Sequence, residues 1–322
     1  TIFLLLILGA FFPLITSTEF NYNKEETSTI TNGGGNYLVY SIEGDNPNIN
    51  YVLSATSTSS TSKRLQMAQS YLGKANLYVY MKGLSSINVQ IECSKYPCSG
   101  SYTTTFTDKI VLNDGEPINY YVNNDETIYF SATPNSALSN IWIRGQNNIQ
   151  YSFSIEPSYI KEISDSFYAF IFGSKSKVDL TVFAKKGDYI NAGLIGYSRE
   201  SDYYLSNNPL NIEGPVITGF LHKKLMNKIC YDLNSEQRHS KVIVGSGILF
   251  TKIAMSSLIG TDENASNLDQ LCPSGILKNF IVEQYSKLCF SFPDTTAFTQ
   301  YENVDEIVFT YHAESLEKKE YN

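Results

Sequence analysis

Two stretches of the chain alternate without a fault. In Ile87-Asn-Val89-Gln-Ile91 and in Ile149-Gln-Tyr151-Ser-Phe153-Ser-Ile155, every second residue is apolar and each residue between is polar. A period of two puts one row of side chains on each face, which predicts antiparallel strands with one dry and one wet side. Runs of the same kind recur at Asn36–Ile42, Tyr51–Ala55, Asn76–Met81, Ile118–Val122, Thr127–Ala132 and Ile141–Arg144. Turn formers separate them: Gly33-Gly-Gly35, Glu43-Gly-Asp-Asn-Pro47, Asn113-Asp-Gly115 and Asn123-Asn-Asp125. Short strands with such punctuation predict a β-sandwich. The low-complexity tract Ser54–Ser62 reads as a solvated loop, followed by a short helix over Lys63–Tyr71.

The alternation stops at Glu156-Pro157. Proline cannot continue a central ladder, so a first domain over 19–156 is expected to end there. A linker over 157–165 follows, and the run Phe167–Phe172 opens a second domain over 166–322. That half contains an apparent internal repeat. Ser176-Lys-Val178 and Leu194-Ile-Gly196 recur as Ser240-Lys-Val242 and Leu258-Ile-Gly260 with the same internal spacing. Gly219-Phe-Leu221 answers Gly275-Ile-Leu277, and Lys228-Ile-Cys-Tyr-Asp-Leu233 answers Lys287-Leu-Cys-Phe-Ser-Phe292. Units of about 60 residues, 176–233 and 240–292, are therefore expected to stack as related pieces. Gly196 and Gly260, each ending an apolar run, are expected in turns of positive φ. The predicted fold is all-β: tandem antiparallel β-sandwich domains, the second built from this repeat.

Within the first half, the strand Asn76-Leu-Tyr-Val-Tyr80, the paired strands after it and the closing Ile149–Ile155 strand resemble a known module. Residues 27–156 resemble the pre-peptidase C-terminal (PPC) type of secreted β-sandwich. That family usually carries Asp ahead of the Leu-Tyr-Val strand, where Ala75 and Asn76 stand here. The resemblance implies a non-catalytic accessory module.

Composition adds the compartment. The chain opens on an uncharged apolar run, Thr1–Ile15, followed by Thr16-Ser17-Thr18, the pattern of a secretory signal peptide over 1–18. No later run is long enough to cross a membrane as a helix, so membrane attachment would need an anchor not present in this chain. Five cysteines fit an oxidising compartment. Cys93 and Cys98 flank a turn-length segment, Ser94-Lys-Tyr-Pro97, that places strand ends opposite each other, and they are expected to form a disulfide. Cys230 and Cys289 occupy equivalent repeat positions and are expected to pack in separate cores. Cys272 is then the odd residue, and Cys272–Cys289 and Cys230–Cys272 are both open. Asn264-Ala-Ser266 is the one N-glycosylation sequon, marking Asn264 as an acceptor.

A net charge of −8 argues against nucleic acid, whose binding needs clustered Lys and Arg. The histidines, His222, His239 and His312, stand in no metal-binding spacing. No nucleophile elbow exists, and Gly245-Ser-Gly247 is too short to be one. Catalytic residues are thus not assigned, and no cofactor is required. Ca²⁺ is the one ion the acidic clusters Asp114/Glu116, Asp125/Glu126 and Asp262/Glu263 could hold. The paired tyrosines Tyr120-Tyr121 and Tyr203-Tyr204 put one ring on each side of a strand, so an exposed ring could stack on a sugar or anchor a protein. These features point to a secreted or cell-surface, non-enzymatic protein in adhesion or extracellular structure. Its partners would be other extracellular proteins, further copies of itself, or glycans. A carbohydrate-binding accessory module and an unrecognised hydrolase are the alternatives.

Overall fold

The computed structural model describes residues 17–173, 176–232, 240–246, 256–259, 277–282, 287–291 and 305–315. The described residues form strands, turns and irregular segments, and the chain divides into two compact units, Thr1–Asp108 and Lys109–Asn322.

Unit 1 is a sandwich of two four-stranded antiparallel sheets. One orders as β1 (Ser17–Tyr22), β8 (Cys98–Thr107), β3 (Tyr37–Gly44) and β6 (Lys74–Tyr80). The other orders as β2 (Glu26–Thr31), β7 (Ser86–Cys93), β4 (Tyr51–Ser57) and β5 (Ser60–Gln69). The inward rows of the alternating strands make the core: Leu38, Tyr40 and Ile42 from β3 meet Leu53 and Ala55 from β4 and Ile87, Val89 and Ile91 from β7. The expected helix over Lys63–Tyr71 is instead β5, an edge strand paired with β4 through a turn at Thr58-Ser59. Ser and Thr lose little in an extended chain, and Leu65 supplies a buried anchor that draws the segment onto the sheet. The tract 54–62 is accordingly a hairpin rather than a loop.

The Cys93–Cys98 disulfide is present. Its strands do not pair with each other, however: β7 ends in one sheet and β8 begins in the other. The cystine pins the corner where the chain passes between layers, and the Tyr96 hydroxyl accepts the Cys93 N–H at 3.1 Å.

Unit 2 has three layers. Its central sheet orders as β14 (Tyr159–Ser164), β15 (Phe167–Phe172), β12 (Leu138–Arg144), β17 (Tyr189–Arg199), β18 (Tyr204–Ser206), β20 (Lys228–Asp232), β24 (Lys287–Ser291) and β22 (Ser256–Ile259). A further strand, β10 (Ile118–Tyr121), pairs with the start of β17. One outer sheet is β13 (Gln150–Phe153), β16 (Val178–Ala184), β11 (Glu126–Ala132) and β9 (Ile110–Leu112). The other is β19 (Ile217–His222), β25 (Glu306–Ser315), β21 (Ser240–Ser246) and β23 (Leu277–Val282).

The burial pattern explains the layering. The outer strand β16 alternates between buried and half-buried positions, whereas all of Phe167-Tyr-Ala-Phe-Ile-Phe172 in β15 is buried. A strand covered on both faces has no polar row to offer. Phe170 and Phe172 meet Tyr151 and Phe153 of one outer sheet edge-on, with Phe153 4.7 Å from Phe170. Phe167, Ala169 and Ile171, on the other face, share a core with Phe220, Phe309 and Tyr311 of the second outer sheet. Tyr197, Tyr231 and Tyr311 tie those layers together. The Tyr197 and Tyr231 hydroxyls lie 3.0 Å apart, and Tyr311 donates to Tyr231. Burial raises all three phenols well above their ordinary pKa, so they act here as neutral hydrogen-bonding groups.

Three expectations need correction. The expected boundary at 157–165 contains β14, and β12 lies hydrogen-bonded between β15 and β17, so strands from both sides of Pro157 share one sheet. Pro157 sits between strands rather than between domains, and the division falls at Asp108/Lys109. The repeat is matched only in part: the corresponding strands β17 and β22, β19 and β23, and β20 and β24 share sheets, whereas β16 lies in one outer sheet and β21 in the other. Its most alike segments, β20 and β24, are instead antiparallel neighbours with Cys230 directly opposite Cys289. These two cysteines are disulfide-bonded, not packed apart, which excludes either pairing with Cys272. Cys272 itself, with Asn264, Gly260, the Asp262/Glu263 pair, His239 and residues 1–16 of the expected leader, lies outside the described residues.

Gly196, finally, sits within β17 and not in a turn. A Cβ there would come within 2.4 Å of Ser136 Oγ and 2.6 Å of Asn207 Nδ2, so close approach is what requires glycine.

Candidate functional site

At one end of unit 2 three loops, 122–125, 145–149 and 185–188, converge on two aspartates. Asp188 is fully buried, and its Oδ1 accepts the Gln146 N–H at 2.7 Å and the Tyr189 N–H at 2.8 Å. Its backbone carbonyl accepts from Val122 N, whose own carbonyl accepts from Gly187 N. Asp125 takes the Lys186 N–H at 2.8 Å and the Lys185 ammonium at 3.3 Å. The Lys186 N–H and then the Lys185 ammonium hold the Asp125 carboxyl below the usual carboxylate range. Short polar residues between strands commonly organise turns this way. Here each aspartate ties one loop to another.

The loops frame a groove lined by Asn147, Asn148, Gln150, Phe183, Lys185 and Lys186. Gln150 and Phe183 face each other across β13 and β16, and the Lys185 ammonium lies 4.9 Å from the Phe183 ring centroid. Beside the loops, Tyr121 of β10 stands opposite Tyr189 of β17, their ring centroids 6.2 Å apart. Both rings are well exposed, at 38% and 40%. Glu126 follows Asp125 into β11, where burial pushes its carboxyl up to about 7 against the opposing Tyr120 hydroxyl at 3.3 Å.

The expectations for individual residues divide accordingly. Of the Tyr120-Tyr121 pair, Tyr120 is buried and Tyr121 exposed. Tyr203 is engaged: the Lys287 ammonium donates to its hydroxyl at 2.9 Å, and Lys228 and Lys287 both lie near its ring. Among the described residues no group of three or more His, Cys, Asp or Glu comes together as a metal site. Asp114 accepts from Gly196 N and Asn207 Nδ2, and Glu116 accepts from Asn113 Nδ2, so each carboxylate is occupied in fastening loops. His222 is buried and accepts the Lys224 and Leu225 N–H groups at 3.2 Å through Nδ1, capping a turn. Burial lowers its pKa. His312 lies 3.2 Å from Glu314.

The six groove residues were not singled out by sequence, because they come from separate loops and strands and share no local motif. The one signal within reach was Asn147-Asn148, a polar pair between two strand-like runs. Together they offer three carboxamides, two ammonium groups and an aromatic ring, which suits reversible recognition of a polar ligand. No protein-family model matches this chain, and no curated protein matches it.

Proposed function

We propose that this is a secreted or cell-surface, non-enzymatic β-sandwich protein that acts in adhesion or as an extracellular structural component, with unit 2 carrying the contact surface. The observation behind the proposal is the loop end of unit 2, where two exposed tyrosines stand together and the loops that frame the groove are fastened by Asp125 and Asp188. Exposed aromatic rings on a rigid frame lose little conformational entropy on contact, which is what an adhesive surface needs. Two disulfides support an oxidising, extracellular setting. Unit 1 serves as an accessory sandwich; the PPC-like resemblance over 27–156 reaches past it, since the Ile149–Ile155 strand belongs to unit 2. Carbohydrate binding is the second reading, favoured by the carboxamides of Asn147, Asn148 and Gln150 in the groove.

Two measurements test the proposal. An antibody against the protein should label intact, unpermeabilised producing cells or their surrounding matrix. Beads coated with the full chain should attach to that matrix, and Tyr121→Ala with Tyr189→Ala should weaken attachment. Labelling confined to permeabilised cells would sink the extracellular assignment.

A further inference from the structure

We infer that the groove of Asn147, Asn148, Gln150, Phe183, Lys185 and Lys186 is a binding site for an acidic glycan, a sugar chain carrying carboxylates of the uronic-acid kind. The inference deepens the contact reading above and rests on it.

The argument begins with what the groove offers. A carboxamide presents one accepting oxygen and two donating N–H groups. A pyranose ring presents hydroxyls on adjacent carbons, each able to donate and accept, so a carboxamide can serve two neighbouring hydroxyls at once. Three carboxamides within one groove give that pattern along more than a single sugar. Phe183 adds a half-buried aromatic ring to the same groove. An aromatic ring beside hydrogen-bonding groups is suited to the mixed apolar and hydroxyl faces of a sugar.

Charge narrows the class. The Lys185 ammonium is held by Asp125 and lies over Phe183. Lys186 gives its backbone N–H to Asp125, which fixes the main chain, and its ammonium, also attracted by the Asp125 carboxylate, lines the groove without a hydrogen bond of its own to that carboxylate. A carboxylate on the ligand would give Lys186 a charge-assisted hydrogen bond, roughly twice the strength of a neutral one. Asp188 makes no contact with such a ligand, because its Oδ1 is taken by two backbone N–H groups and its Oδ2 is buried, without a hydrogen-bond partner. An acidic peptide would satisfy the ammonium but would leave most of the carboxamides without the paired hydroxyls they match. The loops are already tied, so little ordering cost falls on binding.

The test is titration calorimetry of the full chain with an oligo-uronate, with the same oligosaccharide after reduction of its carboxylates to alcohols, and with polyglutamate. The oligo-uronate should bind, the reduced form should bind about tenfold more weakly, the loss expected for one charge-assisted contact, and polyglutamate should not bind. Lys186→Ala should abolish the difference between the two sugars, and Asn148→Ala should weaken both. Unchanged unfolding midpoints would show that each exposed substitution leaves the fold intact. No binding of the oligo-uronate, equal binding of polyglutamate, or full binding by Lys186→Ala would each overturn the assignment. Attachment of coated beads to matrix separates this failure from that of the contact reading. If the sugar fails but Asn148→Ala and Lys186→Ala still reduce attachment, only the glycan is wrong. If the groove and tyrosine variants all leave attachment unchanged, the contact reading falls with it.

Discussion

Gly193→Ala is expected to damage the core of unit 2 through one contact. Gly193 of β17 pairs with Trp142 of β12, and the indole lies across the glycine. A Cβ at 193 would stand 2.1 Å from Trp142 Cζ2 and 2.4 Å from Cη2. Non-bonded carbons rest near 3.5–4.0 Å, so the overlap is about 1.5 Å. The ring has little freedom to yield: Trp142 is fully buried, and its Nε1–H donates to Asn191 Oδ1 at 2.8 Å. Overpacking costs about 1–3 kcal/mol. A displaced indole that loses its partner costs about 1–3 kcal/mol more. The substitution should therefore destabilise unit 2 by roughly 2–6 kcal/mol, or about 4–24 °C in its thermal midpoint for a unit of this size. Trp142 is the single tryptophan of the chain, so its fluorescence reports this core alone. The emission should shift to the red and the unfolding midpoint should fall. In a Trp142→Phe background, followed by calorimetry, the further cost of Gly193→Ala should drop by about 1–3 kcal/mol, the coupling of two residues in contact. Unchanged emission with a midpoint shift below about 1 °C would refute the reasoning, because the ring would then have room that the structure denies it.

The two disulfides should differ in worth. By loop-closure entropy the Cys230–Cys289 bond, with a sequence separation of 59, contributes about 4 kcal/mol, whereas Cys93–Cys98, with a separation of 5, contributes roughly 2 kcal/mol. Denaturant titrations of Cys230→Ala/Cys289→Ala and Cys93→Ala/Cys98→Ala should rank them in that order. Glu126 should make unit 2 less stable as pH rises. Folding lifts its carboxyl from 4.5 to about 7, so the folded state holds the proton more tightly, and stability present below pH 4.5 is lost as the pH climbs to about 7. Allowing for the partial solvent screening of this carboxyl, the loss is about 1–2 kcal/mol. Glu126→Gln should flatten that part of the stability profile, and an unaltered profile would show that the carboxyl is solvated. A fragment ending at Asp108 should fold cooperatively. One ending at Glu156 should add no folded structure, since β11 and β12 would lack β15, β16 and β17; limited proteolysis that protects 109–156 would contradict the sheet assignments.

Local pattern was enough for much of the strand content. The alternating runs at Asn36–Ile42, Tyr51–Ala55, Ile87–Ile91 and Thr127–Ala132 are all strands, because each has one face on a core and one toward solvent. The Cys93–Cys98 bond was legible for a related reason: a turn-length separation leaves those cysteines few other places to go. The Lys63–Tyr71 segment is extended where a helix is expected because it sits at a sheet edge, where pairing with β4 outweighs its weak local preference.

Tertiary structure alone decided the rest. A strand buried on both faces, such as Phe167–Phe172, carries no period, so nothing in it tells which sheet it joins or how many layers cover it. That is why the chain looked divided at Pro157, although β12 on one side of it bonds β15 and β17 on the other. The Cys230–Cys289 bond depends on the register of β20 against β24, a long-range pairing that likeness between the two segments suggested in the opposite sense. The groove is more hidden still. Asn147, Gln150, Phe183 and Lys186 come to line one groove only when Asp188 and Asp125 draw separate loops together, and hydrogen bonds across such distances in sequence leave no periodic trace along the chain.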